Sequence, residues 1–221
     1  MEASIAFLVF QLIVLIFSVM IHEIAHGFVA ERLGDPTARL AGRLTLNPLK
    51  HIDPFGSIIL PLLLFFTNSP VMLGWAKPVP YNPYNLSKDY KRGPLKVALA
   101  GPASNLVIFL VFGLAARILL PYTSSPIVGV FGFIALLNAF LAIFNLVPIP
   151  PLDGSHLLAI IFPRHYALFF QRLGFGGILL VFLFVFFFSS VIGAIANTLF
   201  VWVAGNDALF RVIGLFITSG Q

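Results

Sequence analysis

No cysteine occurs in the 221 residues, so disulfides and thiolate metal sites are excluded. Charge is scarce as well. Asp, Glu, Lys and Arg make up only 10% of the chain, against about a quarter in soluble domains, whose surfaces must face water. Internal repeats and disordered linkers are also absent, and the chain reads as one compact domain over 1–221. The start lacks the basic region of a secretory signal: it opens Met1-Glu2, and its apolar run leads straight into the most chemically loaded residues of the chain. The expectation is that this segment is retained.

What is abundant is apolar. Hydrophobic residues make up 59% of the chain, and mean hydropathy is +1.01. Several runs reach the length of about 20 apolar residues that a helix needs to cross a bilayer. The formal net charge is +5, and nine of the thirteen Lys and Arg lie between Arg32 and Lys96. They are spread out rather than packed on one face, which argues against nucleic acid and for a cytoplasmic loop under the positive-inside rule. The chain is therefore expected to be an all-α, multi-pass protein of the cell membrane.

The first run, 5–21, continues without a break into 22–33 and stops at Gly34-Asp35-Pro36, giving one helix of about 30 residues. In 39–46, Arg39-Leu40, Ala41-Gly42 and Arg43-Leu44-Thr45-Leu46 predict a short β-hairpin, whose edge could pair with an unwound peptide. Residues 58–66 are apolar but too short to span and carry Pro61, as in a re-entrant segment. Trp75, Tyr81, Tyr84 and Tyr90 suit the headgroup level. Spans follow at 94–120 and 126–146. A short helix at 153–162 is expected to be capped by Asp153, and Arg164, His165 and Arg172 mark a return to the basic side. The core covers about 4–165. A C-terminal membrane segment, about 168–204, forms one tilted span or two pieces broken near Ser189-Ser190 and Gly193. With loop 32–96 cytoplasmic, the first helix runs outside to inside and the third does the same, so their ends share one depth near the cytoplasmic side.

His22-Glu23-Ile24-Ala25-His26 is an H-E-x-x-H pattern inside the first helix. Residues four apart lie one turn along and about 40° around the axis, so both imidazoles can reach one ion. Glu23 sits beside them, suited to take a proton from water without being a ligand. Ionisable groups in membrane helices cost about 2.5–3.5 kcal/mol each, and three in five positions point to function rather than to interhelical contact. Hydrolytic zinc sites commonly use three protein ligands and an open position. Candidates for the third ligand are Asp153 and His156 after the third span, and His51 and Asp53 in the loop. Asp153 is the one acid between Asp89 and Asp207, and the expected topology brings it level with His26.

H-E-x-x-H, then Asn47-Pro48 with His51-Ile52-Asp53-Pro54-Phe55-Gly56, then Gly101-Pro102-Ala103-Ser104-Asn105, then Asn145-Leu146-Val147-Pro148-Ile149-Pro150-Pro151-Leu152-Asp153-Gly154, in that order, resembles the site-2 protease family of intramembrane metalloproteases. The resemblance covers roughly 15–165. It implies a three-helix catalytic core, one Zn2+ held by His22, His26 and Asp153, Glu23 as the catalytic glutamate, Asn145 near the metal as a transition-state donor, and Asn105 in substrate handling. It also implies single-span membrane proteins, such as membrane-tethered regulators, as substrates. A PDZ or nucleotide-sensing module does not fit in this length, so selection is expected to rest on the membrane core, an oligomer or an accessory protein. Two other functions compete: a metal-ion transporter or sensor, which would string its ionisable residues along a path, and an inactive helix-binding scaffold, which would lack a ligand or the glutamate. A lipid-cleaving metallohydrolase would share the same site.

Overall fold

The computed structural model describes residues 2–67, 74–162 and 176–219. α1 (Glu2–Arg32) is continuous over 31 residues. It is followed by α2 (Thr37–Leu40), a π-helical turn at Pro54–Ile59 running into α3 (Leu60–Phe66), α4 (Gly93–Leu119), α5 (Ile127–Asn145) and α6 (Ser155–Ile161). α7 (Gly176–Ala204) and α8 (Asn206–Ser219) complete the described chain. Among the described residues four helices, α1, α4, α5 and α7, are long and apolar enough to cross a membrane.

α5 is the hub, packing against α4, α7 and α8, while α4 also packs on α1. Ala135, Ala139 and Ala142 of α5 are fully buried. Small side chains let backbones approach closely, which is how helices associate where lipid removes the hydrophobic contrast. Around them Val14, Phe109, Phe133 and Phe200 fill the interior. The opposite faces carry Val107 and Ile118 on α4 and Leu179, Phe186 and Phe187 on α7, all at least 60% exposed, as lipid-facing surfaces are.

The segment between α1 and α4 is pinned by buried polar contacts. Asp35 is fully buried, and its carboxylate accepts from the Thr37 hydroxyl, from the amides of Thr37 (3.2 Å) and Asn82 (2.6 Å), and from Asn85 Nδ2 (3.0 Å). Burial would raise the pKa of this carboxyl; the four donors outweigh it and hold the group below the usual carboxylate range. Residues 74–80 form an extended strap. Its alternate amides donate to Gly56 O (3.1 Å, from Trp75), His51 O (2.8 Å, from Lys77) and Glu23 Oε2 (2.9 Å, from Val79).

Two expectations need correction, and a choice left open by the sequence is decided. The hairpin at 39–46 does not form, and no strand occurs among the described residues. Arg39 pairs with Glu31 on α1, Arg43 N donates to Ala38 O (3.0 Å), and the Arg43 guanidinium reaches Lys77 O at 2.6 Å. These contacts curl the segment instead of extending it. Asp153 does not cap α6, whose N-cap is Gly154 without a side-chain bond; the Asp153 carboxylate faces the histidines instead. Finally, α7 runs unbroken through Ser189-Ser190 and Gly193, because serine and glycine are tolerated in helices that satisfy their own backbone in lipid. Arg164, His165 and Arg172 lie outside the described residues.

Candidate metal centre

His22 and His26 lie on one face of α1, one turn apart, and both are buried. Asp153 arrives from the loop after α5. That loop folds back tightly, with Gly154 N donating to Asn145 O at 2.7 Å. A side chain at 154 would strike the Leu146 carbonyl, so only glycine permits the turn that carries Asp153 inward. Asp153 thereby meets His22 and His26.

The three donor atoms converge. His22 Nε2 is 3.0 Å from His26 Nε2 and 3.0 Å from Asp153 Oδ2, and His26 Nε2 is 3.4 Å from the same oxygen. The outer nitrogens are engaged elsewhere: His26 Nδ1 bonds to the Val97 carbonyl at 2.7 Å and His22 Nδ1 to Asn105 Oδ1 at 2.8 Å. A carbonyl only accepts, so Nδ1 of His26 carries the proton and its Nε2 presents a lone pair inward. The buried Oδ2 of Asp153 has no well-formed hydrogen bond among the described residues.

Lone pairs crowded this closely are stable only around positive charge. Two imidazoles and one carboxylate, with the far side of each ring hydrogen-bonded, are the donor set of a hydrolytic zinc site. α4 is also shaped for it. A methyl group at Gly101 would lie 2.5 Å from Nε2 of both histidines, so the glycine of Gly101-Pro102-Ala103-Ser104-Asn105 leaves room where the ion belongs. Among the described residues His22, His26 and Asp153 form the one such cluster.

Glu23, on the adjacent face of α1, accepts from Val79 N of the strap and opens with His22 onto a cavity of about 490 Å³. Asn105 and Asn145 line the same cavity, whose other walls include Trp75, Phe144 and Phe182. Asn145 Nδ2 donates to Leu141 O at 3.0 Å. The remaining candidates stand apart from the cluster. Asp53 caps the π turn, accepting from Gly56 N at 2.7 Å, and His51 bonds through Nε2 to Thr45 O at 2.9 Å. His156 sits one turn beyond Asp153, its Nδ1 3.3 Å from the Asp153 carbonyl. Sequence reasoning missed Asn138, which bonds to Asn105 (3.1 Å) and is fully buried; a lone amide inside the apolar stretch 127–144 was the available signal. It also missed Val97, whose contribution is a main-chain carbonyl and leaves no trace in residue type.

Comparison with known proteins bears on the family of the chain. The family model described as peptidase family M50 matches residues 121–189. The protein named "Putative zinc metalloprotease YwhC" of Bacillus subtilis is 40% identical over 161 residues, which is 70% of this chain and 69% of that relative. Rip2 of Mycolicibacterium smegmatis and Rip2 of Mycobacterium tuberculosis, which carry the same description, are 36% identical over 140 residues and 33% over 137. In both cases 62% of this chain is aligned, and the match spans about half, 51%, of the mycobacterial protein. No solved structure matches the chain. The chain belongs to peptidase family M50, the site-2 proteases, and is a multi-pass membrane metalloprotease.

Proposed function

We propose that the chain hydrolyses peptide bonds within or near the membrane segments of other proteins, with His22, His26 and Asp153 as zinc ligands and Glu23 as general base. The observation that carries this reading is the meeting of three ligand atoms with Glu23 at one wall of a largely apolar cavity. Zinc bound there supplies Lewis acidity, which favours ionisation of water and polarises a scissile carbonyl. Glu23 takes the proton from the attacking water as the new C–O bond forms, then delivers it to the leaving nitrogen as the C–N bond breaks. The Val79 amide holds the Glu23 carboxylate in place between these steps. Asn145, on the same wall, donates an N–H to the developing oxyanion. Asn105 borders the cavity where substrate enters.

The apolar walls fit a membrane segment better than a soluble peptide. Intrahelical hydrogen bonds hide the scissile bonds of a spanning helix, so the substrate must unwind locally, and residues that weaken helices mark the cut. Single-span proteins, such as membrane-tethered regulators, are the substrate class we favour. The basic loop between α1 and α4 supports an active site opening toward the cytoplasmic side. The test is reconstitution of the chain in liposomes with a single-span protein carrying a helix-weakening sequence in its membrane segment. Cleavage that stops with Glu23→Gln and with a zinc chelator is expected. Equal cleavage by Glu23→Gln would remove Glu23 from its role.

A further inference from the structure

A run of buried hydrogen bonds leaves the metal centre and returns to α1 one turn before His22. His22 Nδ1 meets Asn105 Oδ1 at 2.8 Å, Asn105 Nδ2 donates to Asn138 Oδ1 at 3.1 Å, and Asn138 Nδ2 donates to Ser18 Oγ at 2.9 Å. Asn138 Nδ2 also donates to the carbonyl of Ile134, 2.8 Å away on its own helix. Asn105 and Asn138 are fully buried, and Ser18 is 4% exposed. Amides placed in such surroundings are costly unless every bond is made. Interhelical adhesion alone would account for their presence, but not for their direction.

The direction follows from one atom that cannot change its role. The Ile134 carbonyl only accepts, so it fixes which end of the Asn138 amide carries the hydrogens. Asn138 then presents its oxygen to Asn105, which must answer with Nδ2. The oxygen of Asn105 is thereby turned to His22, and Nδ1 of His22 must donate. Nε2 is left with its lone pair facing His26 and Asp153. His26 needs no such device, because its partner is the Val97 main-chain carbonyl. An asparagine beside a histidine could otherwise present either end, and the wrong end would put the imidazole proton where the metal belongs.

We propose that Asn138 is a positioning residue for zinc: it fixes the orientation of the Asn105 amide and, through it, the tautomer of His22. The proposal rests on the reading of His22 as a ligand. It assigns Asn105 a second role, toward the ligand as well as toward the cavity.

The test measures zinc affinity by chelator competition on the purified full chain, with thermal unfolding followed in parallel. Asn138→Leu is expected to weaken zinc by about 10–100-fold, the usual effect of losing a partner behind a metal-bound histidine. Asn138→Ser, whose hydroxyl can donate to Ile134 O and accept from Asn105, is expected to hold affinity near wild type. Asn105→Asp offers oxygen at both ends and needs no orienting. In that background Asn138→Leu should therefore cause no further loss. In the metal-free chain, nitrogen NMR of labelled histidine should show His22 as the Nδ1–H form in wild type and as a tautomer mixture in Asn138→Leu. If leucine at 138 unfolds the chain, Asn138→Ala replaces it in the same comparison with Asn138→Ser. Equal losses in both Asn105 backgrounds, or an unchanged tautomer, would overturn the proposal and leave Asn138 as adhesion between helices. Zinc retained by His22→Ala would instead overturn the ligand assignment beneath it.

Discussion

At Gly101 the missing side chain is the functional feature. Gly101→Ala would place a methyl 2.5 Å from Nε2 of both His22 and His26, inside any tolerable contact and in the space of the ion. We expect this variant to fold with a helix content like wild type, yet to lose most of its zinc when metal content is measured after purification. His51 answers to pH. It is buried, its Nε2 bonds to Thr45 O, and its Nδ1 has no partner among the described residues. Burial, helped by the charge of Arg43, pushes the imidazole below its ordinary value of about 6.5, against the opposing pull of the Thr45 carbonyl and Glu23. A depressed value means that the neutral ring stabilises the fold fully above about 6.5, and that this contribution is lost as pH falls through the folded-state value. Amide exchange across 43–57, corrected for intrinsic rates, should thus be faster at about pH 5.5 than at about pH 7.5. His51→Gln should flatten that dependence; an equal response in the variant would place the pH-sensitive group elsewhere.

At the scale of elements, the strap 74–80 connects the loop to the chemistry. Its alternate amides hold it to Gly56, His51 and Glu23, so a loop with no catalytic side chain of its own orients the proposed base. Val79→Pro keeps an extended backbone but removes the donor to Glu23. A hydrogen bond to a charged group contributes about 1.5–3 kcal/mol, so peptide cleavage should slow by roughly tenfold or more while bound zinc stays at the wild-type level. Loss of zinc in this variant would mean that the strap shapes the metal site rather than the base. The strap also shows where sequence reading reaches its limit. Helix positions were legible within a residue or two because apolar runs and Gly/Pro stops are local signals: α1, α4 and α5 end beside Gly34, Leu120 and Leu146. The loop was not legible. Arg39–Leu46 has the alternation of a hairpin, but its fate is decided by Glu31, Ala38 and Lys77, partners that no local pattern names. Asp153 showed the same divide, its placement beside the histidines foreseen from topology and its supposed capping role lost to that placement.

At the scale of the molecule, the four spans deliver one arrangement: α1 carries two imidazoles and a carboxylate, α4 packs its small residues against them, and α5 ends in the loop that brings Asp153. α7 closes the cavity with Val181, Phe182 and Val185, and its C-terminal carbonyls at Trp202 and Val203 are capped by Arg117 of α4 at 3.1 and 3.2 Å. Basic side chains favour helix C-termini, where carbonyls lack amide partners. α8, amphipathic and packed on α5, was not foreseen, because Gly205 at a φ of 92° redirects the chain after an apolar run that by itself sets no end. All of these placements serve the donor set His22, His26 and Asp153, with Glu23 beside it and not part of it. The most direct measurement is the zinc bound per chain by wild type, His26→Ala, Asp153→Ala and Glu23→Gln, purified without chelators. The account predicts about one zinc in wild type and in Glu23→Gln and little in the two ligand variants, the stoichiometry of a single three-ligand site. Zinc retained by Asp153→Ala would contradict it, because the third ligand would then lie elsewhere.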